Sequence, residues 1–257
     1  MPVKRAEKTP MPVRDAHKRA HDFKEVNEGY CFAHAMFEAE RCLRCQDPVC
    51  VDGCPVRVPI ADFMHAIAAN DMRKAADLLR GANPLAAICG RVCPQESQCE
   101  MKCHMTKRFG PVAIGHLERF VSDWEMQQPT DGEPLKPWRE EKVAIVGSGP
   151  AGLSFAVTAA QCGHEVTLYE AADRIGGQFL MAMRIPGKED YAETVRYYGR
   201  QLELAGVSVR LGQAANAAEI AQSGVDTVVV ATGVRPRVPQ LEGIDDEKVL
   251  TYADVLE

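Results

Sequence analysis

KVAIVGSGPAG, residues 142–152, sets a short apolar run directly against three glycines. Lys142 to Val146 has the make-up of a buried parallel strand, and Ala151 to Cys162 reads as a helix of small and apolar residues. Gly147-Ser-Gly149-Pro150-Ala151-Gly152 is therefore GxGxxG in the context that gives it meaning. The first glycine makes a tight turn, the second lets backbone approach a pyrophosphate, and the third lets helix pack on strand. The start of the helix at Pro150 turns its free N–H groups toward the phosphates. Glu170 closes the next strand, Glu165 to Tyr169 (EVTLY), 18 residues beyond Gly152, where a carboxylate can bond the ribose hydroxyls of an adenosine. Together these residues define a dinucleotide site.

Downstream the alternation continues. Asp190 to Ala205 is an amphipathic helix through Tyr191, Val195, Tyr198 and Leu202, and Val207 to Leu211 and Thr227 to Val230 are further strands. Such a pattern predicts an α/β unit with a parallel sheet over residues 140–257. Upstream, residues 128–139 hold three prolines and no apolar period, which marks a linker. Before it, helical signals dominate residues 31–127: Phe32 to Arg41, Ala61 to Ala69, Met72 to Arg80 with Gly81 as the stop, and a stripe from Val112 to Trp124. Residues 1–30 read as an N-terminal arm, locally basic over 1–20 with Lys4, Arg5, Lys8, Arg14, Lys18 and Arg19 against Glu7 and Asp15.

The chain has 257 residues, 46% hydrophobic and 26% charged, with a net charge of −6. The composition is that of a globular protein with more than one domain, and the charge argues against a nucleic-acid surface. No run approaches the roughly 18 apolar residues of a membrane span, and no signal-peptide core follows the basic start, so a cytoplasmic protein without a membrane partner is expected. In that compartment thiols stay reduced.

Eight of the ten cysteines fall between residues 42 and 103. Cys42, Cys45, Cys50 and Cys54 follow a CxxCxxxxCxxxC spacing, and Cys93, Cys99 and Cys103 form a second set. Proline follows both Cys54 and Cys93, as it follows the last cysteine of the bacterial ferredoxin run, which ligates the other cluster of a pair. Seven thiolate ligands for two iron–sulfur clusters are the reading; one tetrahedral zinc site made by Cys42, Cys45, Cys50 and Cys54 is the alternative. Cys31 and Cys162 lie outside both sets and read as small buried hydrophobes.

Three segments then carry a resemblance: EAERCLRCQDPVCVDGCP, ICGRVCPQESQCEMKC and IGHLERF. They resemble the double-cluster domain shared by the glutamate synthase small subunit and the N-terminal part of dihydropyrimidine dehydrogenase. The resemblance implies one [4Fe-4S] cluster on Cys42, Cys45, Cys50 and Cys103, and another on Cys54, Cys93, Cys99 and Glu118, with Cys89 not ligating. Arg174-Ile-Gly-Gly177-Gln178 resembles the RxGGQ loop of two-dinucleotide flavoproteins, and Ala231-Thr232-Gly233 resembles the turn that ends the first stretch of their FAD domain. Residues 176–207 and 243–257 are similar to the flavin domain of 2,4-dienoyl-CoA reductase. The dinucleotide implied is FAD.

In those families the chain goes on into an NAD(P)H-binding domain and returns to complete the FAD domain. The 257 residues thus read as a truncated product, with a split subunit as the alternative. The function implied is that of a glutamate synthase small-subunit-like oxidoreductase component. NAD(P)H, held by a missing or partner domain, reduces FAD, and electrons leave through the two clusters to a partner subunit or ferredoxin. The basic arm is a contact for that acceptor, or else a disordered tail. A non-catalytic relay or docking subunit completed by a second chain is the competing function, and a zinc-bound interaction module is a third. No side chain is assigned a catalytic role.

Overall fold

The computed structural model describes residues 7–128 and 134–256. The chain divides into two compact units, with the boundary between Pro129 and Thr130.

The first unit is helical: α1 Ala16–Arg19, α2 Phe32–Glu40, α3 Val49–Asp52, α4 Ile60–Ala68, α5 Met72–Ala82, α6 Ala86–Val92, a 3-10 turn Gln95–Ser97, α7 Thr106–Phe109 and α8 Ile114–Gln127. Helices α4 and α5 meet at Asn70-Asp71, where Asn70 takes φ +61° and the Asp71 side chain caps α5 by accepting from the Lys74 N–H. The core is built from one face of each helix. Phe63, Met64 and Ile67 of α4 are fully buried, as are Ala75 and Ala76 of α5 and Leu117 and Val121 of α8. The expected stop at Gly81 is corrected: α5 runs through Gly81 to Ala82 and closes on Asn83, whose N–H bonds the Leu79 carbonyl. A glycine inside the last turn lowers propensity without ending a helix whose apolar face is already packed.

The start of the chain differs from a free arm as soon as it is described. The Lys8 ammonium lies 2.6 Å from the Glu100 carboxylate, and the Thr9 N–H donates to Glu38. The Arg14 guanidinium engages Asp22, and Val13 forms a bridge with Asn27. From residue 7 the segment is part of the helical unit, and two of its cations are already paired; the remainder of the arm lies outside the described residues.

Glu38 and Arg41 form a buried ion pair at the centre of this packing, 0% and 1% exposed at their side chains. Arg41 also donates to the carbonyls of Phe109, Gly110 and Pro111, while Glu38 accepts from the N–H groups of Thr9 and Ala113. The pair thereby ties the start of the chain and the 109–113 loop to α2. Glu38→Ala would strand the guanidinium and two N–H groups, so a loss of about 3–5 kcal/mol in urea unfolding is expected. An unchanged urea midpoint would contradict this account of the packing.

The second unit contains a four-stranded parallel sheet of order β3-β2-β1-β4, made of β1 Lys142–Val146, β2 Glu165–Tyr169, β3 Ser208–Arg210 and β4 Thr227–Val230. Helices α9 Pro150–Gln161, α10 Phe179–Ala182, α11 Tyr191–Leu204, α12 Ala217–Gln222 and α13 Tyr252–Leu256 complete it. Val143, Ala144 and Ile145 are buried in succession, as a central parallel strand requires. β4 differs: it pairs with β1 alone among the described residues, and Val228 and Val230 are exposed. The stretch expected as linker ends on this unit, since the Leu135 N–H bonds the Leu204 carbonyl and the Trp138 N–H bonds that of Gly163.

Cys31 and Cys162 are both exposed, not buried as expected. Each occupies a helix cap position, Cys31 before α2 and Cys162 after α9. No helix among the described residues is long and apolar enough to cross a membrane.

Candidate functional site

In the helical unit Cys42, Cys45, Cys50 and Cys103 line one cavity, together with the apolar side chains of Leu43, Pro48, Val49 and Val112. Cys42 and Cys45 come from the loop after α2, Cys50 from α3, and Cys103 arrives from the segment before α7. Burial raises the Cys42 thiol and pushes Cys50 up to about 12, with Cys103 adding to the effect in both cases. Thiolates in such surroundings need a cationic partner, and a bound iron core supplies one.

The remaining donors gather at a second place. Cys93 and Cys99, each pushed up to about 12 by burial, both feel the Cys54 and Glu118 side chains. Glu118 is buried on α8, and burial raises its carboxyl to about 7 even though the Asn83 side-chain amide donates to it at 2.8 Å. Close backbone approaches assemble this set. A Cβ on Gly53 would stand 2.8 Å from the Gln98 carbonyl oxygen, so the end of α3 lies against the Cys99 loop. A Cβ on Gly90 would stand 2.6 Å from the Arg119 backbone nitrogen, so α6 lies against α8 beside Glu118. Gly90→Val should therefore push the helices apart and destabilise the unit by about 1–3 kcal/mol in urea unfolding. An unchanged urea midpoint would contradict it.

Cys89 also stands here. Its sulfur lies 3.8 Å from Asn83 Oδ1, and Cys93 and Glu118 both act on it. Sequence reasoning set Cys89 aside and missed Asn83; the Asn-Pro pair after α5 signals only a turn. Among the described residues no three His, Cys, Asp or Glu side chains converge on the position of a single ion.

In the second unit the glycine turn is built as its spacing predicts. Gly147 has φ +101°, and a Cβ there would meet the Ala231 carbonyl oxygen at 2.5 Å. A Cβ on Gly152 would collide with the Gly147 carbonyl, whereas the one on Gly149 would find no atom within 4 Å. The turn is thus closed on its inner side and open above Gly149, at the start of α9, where Pro150 and Ala151 begin the helix. Gly177 packs on Gly149, and a Cβ there would stand 2.8 Å from the Gly149 Cα. The Ala231 N–H extends the β1–β4 ladder to Val146, and Thr232 flanks the same turn. Gly233 turns at φ +74°, and Gln178 Nε2 donates to the Val234 carbonyl, so the two loops are joined. Arg174 is more than half exposed, 3.8 Å from Asp173.

Glu170 accepts from the Ser148 N–H at 2.9 Å, from its hydroxyl at 2.5 Å and from the Ala172 N–H at 2.8 Å. Partial burial opposes its ionisation, but the Ala172 and Ser148 donors outweigh this and hold the carboxyl below its ordinary value. Ser148, fully buried, also accepts from the Gly176 N–H and so links turn, acid and RxGGQ loop. It occupies an unspecified position of GxGxxG, and the motif carries no sign of it. These residues fit a dinucleotide: open backbone over the turn, a helix start facing it, and an ionised carboxylate at the end of β2.

Fold and donor chemistry together describe a cysteine-rich helical unit followed by a dinucleotide-binding type of α/β unit. Residues 19–130 match the family profile described as dihydropyrimidine dehydrogenase domain II, 4Fe-4S cluster, and residues 141–257 match that of pyridine nucleotide-disulphide oxidoreductase. The chain thus matches the two profiles in succession. It is 36% identical over 191 residues to the NAD-dependent dihydropyrimidine dehydrogenase subunit PreT of Escherichia coli strain K12, covering 72% of this chain and 45% of that one. It is 35% identical to the glutamate synthase [NADPH] small chain of Halomonas elongata, covering 67% and 36%, and 33% identical to that of Azospirillum brasilense, covering 86% and 46%. The chain spans less than half the length of these relatives.

Proposed function

We propose that this chain carries two [4Fe-4S] clusters and FAD and passes electrons between NAD(P)H and a partner subunit or ferredoxin, in the manner of a glutamate synthase small subunit. The observation that carries the reading is the ring of Cys42, Cys45, Cys50 and Cys103 around one cavity, with Cys54, Cys93, Cys99 and Glu118 gathered at a second place. When bound, FAD accepts a hydride and releases single electrons, and the clusters conduct them one at a time. The chain's own residues bind and orient. The Gly147–Gly152 turn and the start of α9 would receive the pyrophosphate, and Glu170 the adenosine ribose. The thiols of each set would hold an iron core, the first set within an apolar wall that limits water.

This reading gives the Gly147–Gly152 turn to FAD, so NAD(P)H would be held by a further domain. The relatives' names, which include NAD-dependent and NADPH-dependent enzymes, support a nicotinamide donor. The test is anaerobic mixing of NADH or NADPH with the chain together with its completing domain. Bleaching of flavin absorbance followed by reduction of the clusters is expected. Flavin that stays oxidised with either nucleotide, while dithionite reduces both cofactors, would leave a relay subunit instead.

A further inference from the structure

We propose that Asn83 is a positioning residue that presents the Glu118 carboxylate to the second donor set, engaging Oε1 and leaving Oε2 for iron. The inference rests on Glu118 being an iron ligand. Asn83 is 5% exposed, between the end of α5 and the start of α6. Its amide orientation follows from its neighbours. The Leu85 N–H can only donate, and it lies 3.1 Å from the amide oxygen, so the NH2 group faces Glu118, where it donates to Oε1 at 2.8 Å. Among the described residues this is the hydrogen bond made to the Glu118 carboxylate, and Glu118 is itself 8% exposed.

A carboxylate anchored through one oxygen has lost most of its rotational freedom, and the other oxygen is then the available donor. The same amide engages the competing ligand. Cys89 Sγ lies 3.8 Å from Asn83 Oδ1, so the thiol donates to the amide group that fixes Glu118. One side chain thus holds the carboxylate in place and turns the neighbouring thiol to itself.

Asn83→Asp separates this role from that of a turn residue, because it keeps an acceptor for the Leu85 N–H and replaces the donor to Glu118 by a carboxylate oxygen that repels it. Asn83→Ser is the second variant, since its hydroxyl reaches the turn but not Glu118. The full chain is prepared anaerobically as wild type, N83D, N83S and E118A. Iron release to a chelator is followed, and EPR spectra are recorded after dithionite reduction. N83D and N83S should shift the EPR signal that E118A shifts, leave the other signal unchanged, and release the second cluster's iron about tenfold faster. Unchanged signal and release in both variants, with E118A altered, would overturn the role of Asn83 alone. Loss of helical circular dichroism in both would make Asn83 a structural cap and overturn it equally. An E118A protein identical to wild type would instead remove Glu118 as ligand, and the inference with it.

Discussion

Cys50→Ser is expected to remove one cluster completely and leave the other, halving the iron bound per chain. Cys50 sits among Cys42, Cys45 and Cys103 in a cavity walled by apolar side chains. A serine hydroxyl there is both a harder donor and far harder to ionise, so the site loses the soft anionic ligand that iron–sulfur cores select. Three thiols cannot make good the loss, because Cys54 and Cys93 are engaged at the second set. Iron and acid-labile sulfide should fall from about eight each to about four each, and one of two EPR signals should vanish. Because ligand binding stabilises the native state, the helical unit should also unfold at lower temperature. Full iron in C50S, or the loss of both signals, would show that the donors are not partitioned this way.

Gly147→Ala is expected to abolish flavin binding while leaving the clusters in place. The residue combines φ +101° with a Cβ direction that ends 2.5 Å from the Ala231 carbonyl oxygen. The backbone conformation alone costs an alanine about 1–2 kcal/mol, and relieving the overlap about as much again. Backbone must move, since the atom met belongs to the strand end of β4 and not to a flexible side chain. Moving it opens the turn that Gly149 presents to the pyrophosphate. A total of roughly 3 kcal/mol corresponds to about a 100-fold weaker site, enough to leave the purified protein colourless at the flavin bands. Retention of stoichiometric FAD in G147A would contradict the placement of the dinucleotide.

Much of this architecture can be read along the chain because its signals are local. The GxGxxG turn, the acid closing β2 and the strand–helix alternation that implies a parallel sheet each follow from short runs of residues. The amphipathic period of α5 and the cap at Asp71 are local in the same way. What escaped the reading depends on distant partners. Gly90 resembles any loop glycine until α8 is laid across it at Arg119. Lys8 reads as a free cation until Glu100 is brought to it from 92 residues away. Gly81 has the residue type of a helix stop, and packing overrode it. Cys31 and Cys162 have the residue type of buried positions, yet both stand exposed at helix caps. Asn83 and Ser148 show the same limit at the sites: each joins two motifs that the sequence displays only one at a time.

The central claim is that two polynuclear cores and a flavin reside on this one chain. It is tested most directly by measuring iron, acid-labile sulfide and flavin together on protein reconstituted without oxygen. About eight irons, about eight sulfides and one FAD per chain, with two EPR signals on reduction, are expected. A colourless protein holding a single zinc ion on its thiols, without labile sulfide or flavin, would contradict it.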